Sequence, residues 1–293
     1  MPKQPTSPER HTVAARSTKR TRVRRAGRNL WAAISVGLLM GAGILVALFT
    51  VRQVFIGIVA AAVAVSSWEL AGALRRAGIR ITLVPVLLGG QAMVWLAWPF
   101  GRDGIFVAFV ITTLVCLLWR FPRGAQGYVR DVSASVFSAA YVAGFAAFAT
   151  LLVVPADGAA RVLCLLLAGV GSDVGGYATG VLGGRHLMAP SISPKKSWEG
   201  FFGSLVAGTA AGALSVTLLL GGQLWRGVLF GAAIVLTATG GDLVESLIKR
   251  DLGVKDMGTV LPGHGGLMDR IDSLLPSAVV SWLLLSLLVP VGG

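Results

Sequence analysis

The chain has 293 residues, 55% of them hydrophobic and only 13% charged, and its mean hydropathy is +0.76. Globular domains carry about 25% charged residues, so a water-soluble domain is excluded and an integral membrane protein is indicated. The formal net charge of +13 does not point to nucleic acid, because a basic run without a folded reader is weak evidence for it.

Met1–Asn29 carries Lys3, Arg10, Arg16, Lys19, Arg20, Arg22, Arg24, Arg25 and Arg28 against Glu9 alone. It is rich in Pro, Ser, Thr and Arg, has no apolar period, and is expected to be disordered. It reads first as a topology signal that holds the N-terminus in the cytoplasm. Attachment to anionic lipid headgroups is the second reading.

A spanning helix needs about 20 mostly apolar residues. The candidates are Leu30–Phe49, Val54–Leu74, Ile81–Phe100, Gly104–Trp119, Val132–Val154, Ala159–Leu182, Gly200–Leu220, Val228–Ile248 and Ser273–Val289. The first begins well inside the chain and others follow, so it is not read as a cleaved signal peptide. Each must be helical, because lipid does not tolerate unpaired backbone. The expected fold is an all-α integral membrane protein of about nine transmembrane helices. With the tail inside, four base-rich loops fall on the cytoplasmic side: Arg75, Arg76 and Arg80; Arg120, Arg123 and Arg130; Arg185, Lys195 and Lys196; Lys249, Arg250, Lys255 and Arg270. This alternation follows the positive-inside rule and puts the C-terminus outside. The chain divides into a tail (1–29), N-terminal transmembrane helices (30–154) and a C-terminal transmembrane region (155–293) holding most of the distinctive polar residues.

Cys116 and Cys164 sit in apolar runs and read as packing residues. Gly203, Gly208 and Gly212 read as close helix packing. Glu69 lies inside the second span, where an ionisable group is a site by default, but Arg75 and Arg76 are close enough in sequence for it simply to snorkel.

Three clusters carry chemistry. Asp173 lies near the middle of the sixth span, beside Gly175, Gly176 and Gly180; it reads as a carboxylate facing a polar cavity, against a plain close helix crossing. Ser193-Pro194-Lys195-Lys196-Ser197 opens the seventh helix, where lysines, hydroxyls and helix amides suit phosphate. Alone it is an ordinary juxtamembrane loop. Asp242, Glu245 and Lys249 fall at i, i+3 and i+7, one helix face. Lys255, Asp256 and the glycine-rich turn at Pro262–Gly266 follow, then Asp269 and Asp272 at i, i+3. Carboxylates on two helices with lysines between them suit Mg²⁺ and a phosphate-rich ligand. A Ser/His/Asp hydrolase lacks its nucleophile elbow. Zinc lacks a ligand set, since His11, His186 and His264 are far apart and no cysteine accompanies them.

From Ser246 to Asp272 the chain reads Ser-x2-Lys-Arg-x4-Lys-Asp-x-Gly-x2-Leu-Pro-x-His-Gly-Gly-x2-Asp-Arg-x-Asp. This resembles the signature of phosphatidate cytidylyltransferases (CDP-diacylglycerol synthases). The Asp173–Tyr177 and Ser193–Gly200 clusters are similar to the family's upstream motifs, with Ser197 in place of a threonine and Gly176 in place of an alanine. The resemblance implies that CTP and phosphatidate give CDP-diacylglycerol and pyrophosphate, with no enzyme nucleophile. It implies Asp242 and Asp269 as ligands of a catalytic Mg²⁺, with a second ion nearby, divalent or K⁺. Asp173 and Asp256 would support them. Lys195, Lys196, Lys249, Arg250, Lys255 and Arg270 would hold phosphates, and Ser193, Ser197 and Ser246 would position them. His264, Gly265 and Gly266 would shape the turn against the nucleotide. A homodimer in a bacterial-type inner membrane, with its site facing the cytoplasm, is also implied. Two other readings stand beside this one: a CTP-dependent polyprenol- or phytol-type lipid kinase, and a transporter.

Overall fold

The computed structural model describes residues 41–260 and 265–290. The basic tail, the first part of the Leu30–Phe49 span, His264 and the last three residues lie outside them.

The elements in chain order are α1 (Gly41–Thr50), α2 (Arg52–Arg76), α3 (Leu83–Arg120), a 3₁₀ turn at Phe121–Arg123, and α4 (Tyr128–Ser138). A π-helical segment, Ala139–Gly144, carries α4 into α5 (Phe145–Val153). Then come α6 (Gly158–Gly183), β1 (Leu187–Ala189), β2 (Ser193–Ser197), α7 (Trp198–Leu220), α8 (Leu224–Asp251), α9 (Met268–Ile271) and α10 (Leu274–Leu288). Among the described residues, 7 helical stretches are long and apolar enough to cross a bilayer.

One of these stretches holds two of the predicted spans. Pro99 has no amide to donate, and Gly101 takes φ 60° and ψ −138°, a conformation that a side chain would resist. A Cβ placed on Gly104 would collide with the Leu96 carbonyl, and one on Gly89 with Thr112. A straight helix keeps such residues far apart, so α3 is a hairpin of two antiparallel arms, residues 83–100 and 102–120. Among the described residues the all-helical expectation has one exception, the antiparallel pair β1–β2, with Leu187 opposite Ser197 and Ala189 opposite Ser193. Strands this short have no period for a sequence to display.

Glycines set the closest helix contacts. Gly175 lies against the Gly203 carbonyl and Ala207, and Gly212 against Gly231, so a Cβ on either would strike the neighbouring helix. α6, α7 and α8 thus form one tightly crossed unit, while α10 packs on α8 and α5.

Long-range hydrogen bonds sort the loops to two ends of the bundle. At one end Arg130 Nη2 donates to the Gly78 carbonyl (2.9 Å), Arg76 Nη2 to that of Met257 (3.1 Å) and Arg250 Nε to that of Ile192 (3.2 Å). At the other end Arg52 donates to the Val154 and Ala156 carbonyls, and Arg226 to that of Leu288. The base-rich loops therefore meet one another, as the predicted alternation requires.

Glu69 of α2 reaches that first end and is only 3% exposed. Its Oε2 accepts from the Met268 amide at 2.9 Å, across 199 residues of sequence. Its carboxylate fills the space that a side chain on Gly258 would need, and crowds Gly266 as well. Glu69 is therefore a clamp on the loop between α8 and α9 and not a snorkelling surface acid. Leaving a buried amide unpaired costs roughly 1–3 kcal/mol. Glu69→Leu and Gly258→Ala should each lower the thermal stability of the purified protein by about that amount. Unfolding followed by an intrinsic Trp signal would check it, and wild-type stability in both variants would contradict the clamp.

Candidate active site

α6, β2 and α8 enclose a cavity of about 180 Å³ at the end where the base-rich loops meet. Asp173 enters from α6, Lys195, Lys196 and Ser197 from β2, and Asp242 from α8. The glycine face of α6 explains how its carboxylate arrives there. Gly175 and Gly176 pack directly on α7, which turns Asp173 toward the gap between α6 and α8. Gly175 makes the close crossing with α7, while Asp173, Gly176 and Gly180, at i, i+3 and i+7, line the cavity. Ser172, Ser204 and Thr239 add hydroxyls to the lining.

Lys196 Nζ donates to Asp242 Oδ2 at 2.6 Å, and the two side chains are 26% and 35% exposed. Such a pair is worth only about 0–1 kcal/mol, so an incoming phosphate or cation can displace it cheaply. Ser197 is the N-cap of α7, where its Oγ accepts from the Gly200 amide at 3.1 Å. The cap uses an oxygen lone pair and leaves the hydroxyl hydrogen to donate to an anion.

A second cluster lies further along α8. Lys249 bridges Glu245 of its own helix and Asp269 Oδ1 of α9, the latter at 3.0 Å. Here the carboxylates are only 1% and 8% exposed. Removing one member of such a buried pair costs about 3–5 kcal/mol. Asp269 is also wrapped by backbone: the Met257 amide donates to both of its oxygens (3.3 and 3.0 Å) and the Gly266 amide to Oδ2 (3.0 Å). Gly265 makes this approach possible with φ +87° and lies between Asp256 and Asp269.

The remaining predicted residues spread around these two clusters. Ser193 pairs with Ala189 in the hairpin, and Ser246 sits half-buried on α8; neither lines the cavity. Arg250 ties α8 to the hairpin through Ile192. Lys255, Asp256 and Arg270 are exposed around the loop. His264 lies outside the described residues. Sequence reasoning gave Glu69 little weight and left Glu245 out of the site. The signal for Glu245 was present in its i, i+3, i+7 face with Asp242 and Lys249, whereas nothing local reveals that Glu69 meets Met268.

The donor set bears on magnesium. Asp173 and Asp242 offer hard oxygen ligands to one cavity, with hydroxyls beside them. Mg²⁺ is usually held by one or two carboxylates plus substrate phosphate and water, so these residues fit it. Among the described residues no group of three or more acidic, His or Cys side chains forms a preformed cage. Asp269 already accepts four hydrogen bonds and can ligate a cation only by giving some of them up.

The cytidylyltransferase family model matches residues 31–288. The chain is 52% identical over 288 residues to the phosphatidate cytidylyltransferase of Mycobacterium leprae, covering 93% of this chain and 92% of that one. It is 49% identical over 293 residues to the proteins of that name from Mycobacterium bovis, covering 96% of both chains, and from Mycobacterium tuberculosis, covering 96% of this chain and 89% of the other. With the match running almost from end to end, the chain belongs to the cytidylyltransferase family.

Proposed function

We propose that this protein is a phosphatidate cytidylyltransferase and that the cavity between α6, β2 and α8 is its active site. The observation that carries this reading is the near full-length similarity to enzymes of that name, joined to a cavity where two carboxylates and two lysines converge. The reaction joins CTP and phosphatidate. An oxygen of the lipid phosphate attacks the α-phosphorus of CTP, the bond to the β-phosphate breaks, and pyrophosphate leaves with the bridging oxygen. Nucleophile and leaving group both belong to substrates. The protein's work is to gather anions that repel one another and to hold them in line.

Lys195 and Lys196 meet the phosphates at the mouth of the cavity. Lys196 lets go of Asp242 as it does so, an exchange made cheap by their exposure. Ser197 donates its hydroxyl hydrogen to a phosphate oxygen. We assign Mg²⁺ to Asp242 with Asp173 beside it in the cavity; Asp269, the second ligand that the resemblance implies, would have to give up part of its own hydrogen-bond set to join them. Bound there, the ion would neutralise charge building on the phosphates. At Asp269 this requires Lys249 to change partners from carboxylate to phosphate, which asks more of the protein than the same exchange at Asp242.

We also read the chain as crossing the bacterial inner membrane nine times, with the cavity facing the cytoplasm and the C-terminus outside. The positive-inside rule supports this, because the loops that meet at the cavity end carry most of the bases. A cytoplasmic mouth gives CTP its access, and apolar flanks give the lipid its own.

Asp242→Asn should lower kcat by about 10²–10³-fold, the scale of losing one preorganised electrostatic group, and leave thermal stability near wild type. Asp269→Asn should lower both, because Lys249 loses a buried partner. Near-normal turnover in Asp242→Asn would contradict the site. Activity with CTP and phosphatidate should vanish on chelation of divalent cations and return with Mg²⁺. Full activity in excess chelator would remove the metal from the account.

A further inference from the structure

A basic cavity lies at the end of α2, lined by residues other than those of the α6–α8 cavity. Arg75, Arg80 and Arg123 line one cavity of about 340 Å³ together with Ala71, Ile79 and Ile81. Among the described residues none of these three guanidinium groups has an ion pair or a hydrogen bond. The carboxylate bonded to the loops that carry them is Asp131, and it is fully used. Arg120 Nε donates to its Oδ2 (3.1 Å), and Arg130 Nε (3.3 Å) and the Arg80 amide (3.2 Å) donate to its Oδ1.

The same knot ties down the loops around the cavity. Arg120 also donates to the Gly124 and Gln126 carbonyls, fixing the loop that bears Arg123. Arg130 donates to the Gly78 carbonyl, fixing the turn that bears Arg80. Three exposed arginines thus border one space whose loops are tied in place. Guanidinium forks match phosphate oxygens in geometry as well as charge. The apolar wall is formed by Ala71 in the last turns of α2 and by Ile79 and Ile81 just beyond its end.

We propose that this cavity binds the phosphate of an anionic membrane lipid. A loop that served only as a topology signal would need the charges alone, with no fixed cavity around them. The site is independent of the chemistry between α6 and α8, and none of its arginines belongs to that machinery.

Native mass spectrometry of the full-length protein in neutral detergent, titrated with phosphatidylglycerol or phosphatidylcholine, tests it. The variant Arg75→Gln/Arg80→Gln/Arg123→Gln should bind phosphatidylglycerol at least about tenfold more weakly than wild type, since each base is worth roughly fivefold beside anionic lipid. Phosphatidylcholine binding should be unchanged, as should basal cytidylyltransfer. Arg123→Gln alone should give an intermediate loss, which keeps the test valid if the triple variant does not fold. Equal retention of phosphatidylglycerol by wild type and both variants would overturn the proposal. Binding of inorganic phosphate that is lost in the variants while phosphatidylglycerol binding is not would overturn the assignment to a lipid.

Discussion

A charge at the edge of a bilayer needs a partner from elsewhere in the fold, and the bridge from Lys249 to Glu245 and Asp269 is the pairing on which the site depends. It fastens α8 to α9. Asp269, once held, collects the amides of Met257 and Gly266, so the loop between the helices folds around a carboxylate. Glu69 does the same from α2 by accepting from Met268. Backbone donors that would otherwise be buried without partners are thereby satisfied, and two halves of the chain are joined at one point.

The ion pairs fall into two kinds, and burial separates them. Glu245, Lys249 and Asp269 are sequestered, so breaking them is costly, and any exchange of partners there asks more of the protein. Lys196 and Asp242 face the cavity, contribute little to stability, and are free to exchange partners. A reaction between two polyanions needs cations at the point where they meet and carboxylates that can pass a metal ion between protein and phosphate. In the proposed reading the exposed pair would supply both without loosening the bundle.

Much of this was legible in the sequence. The α8 face of Asp242, Glu245 and Lys249 follows from spacing alone, and alternating basic loops anticipate the two ends of the bundle. The separate spans Ile81–Phe100 and Gly104–Trp119 already imply the fold-back seen in α3, although not that it turns through Pro99 and Gly101 without a loop. What could not be read are relations between distant residues. Glu69 lies far from Met268 in sequence and looks like a surface acid beside two arginines. Asp269 appears as one acid of a motif, with no sign that backbone amides already occupy it. The hairpin β1–β2 is too short for any periodic pattern, yet it is what carries Lys196 to Asp242.

The central claim is that the cavity transfers a cytidylyl group to a lipid phosphate and does not transfer a terminal phosphate to a lipid alcohol. Purified protein should be supplied with Mg²⁺, phosphatidate and CTP labelled either on the α- or on the γ-phosphorus. The account predicts α-label in a lipid product and γ-label in pyrophosphate. γ-Label in the lipid, released alongside CDP when a lipid alcohol is the acceptor, would contradict it.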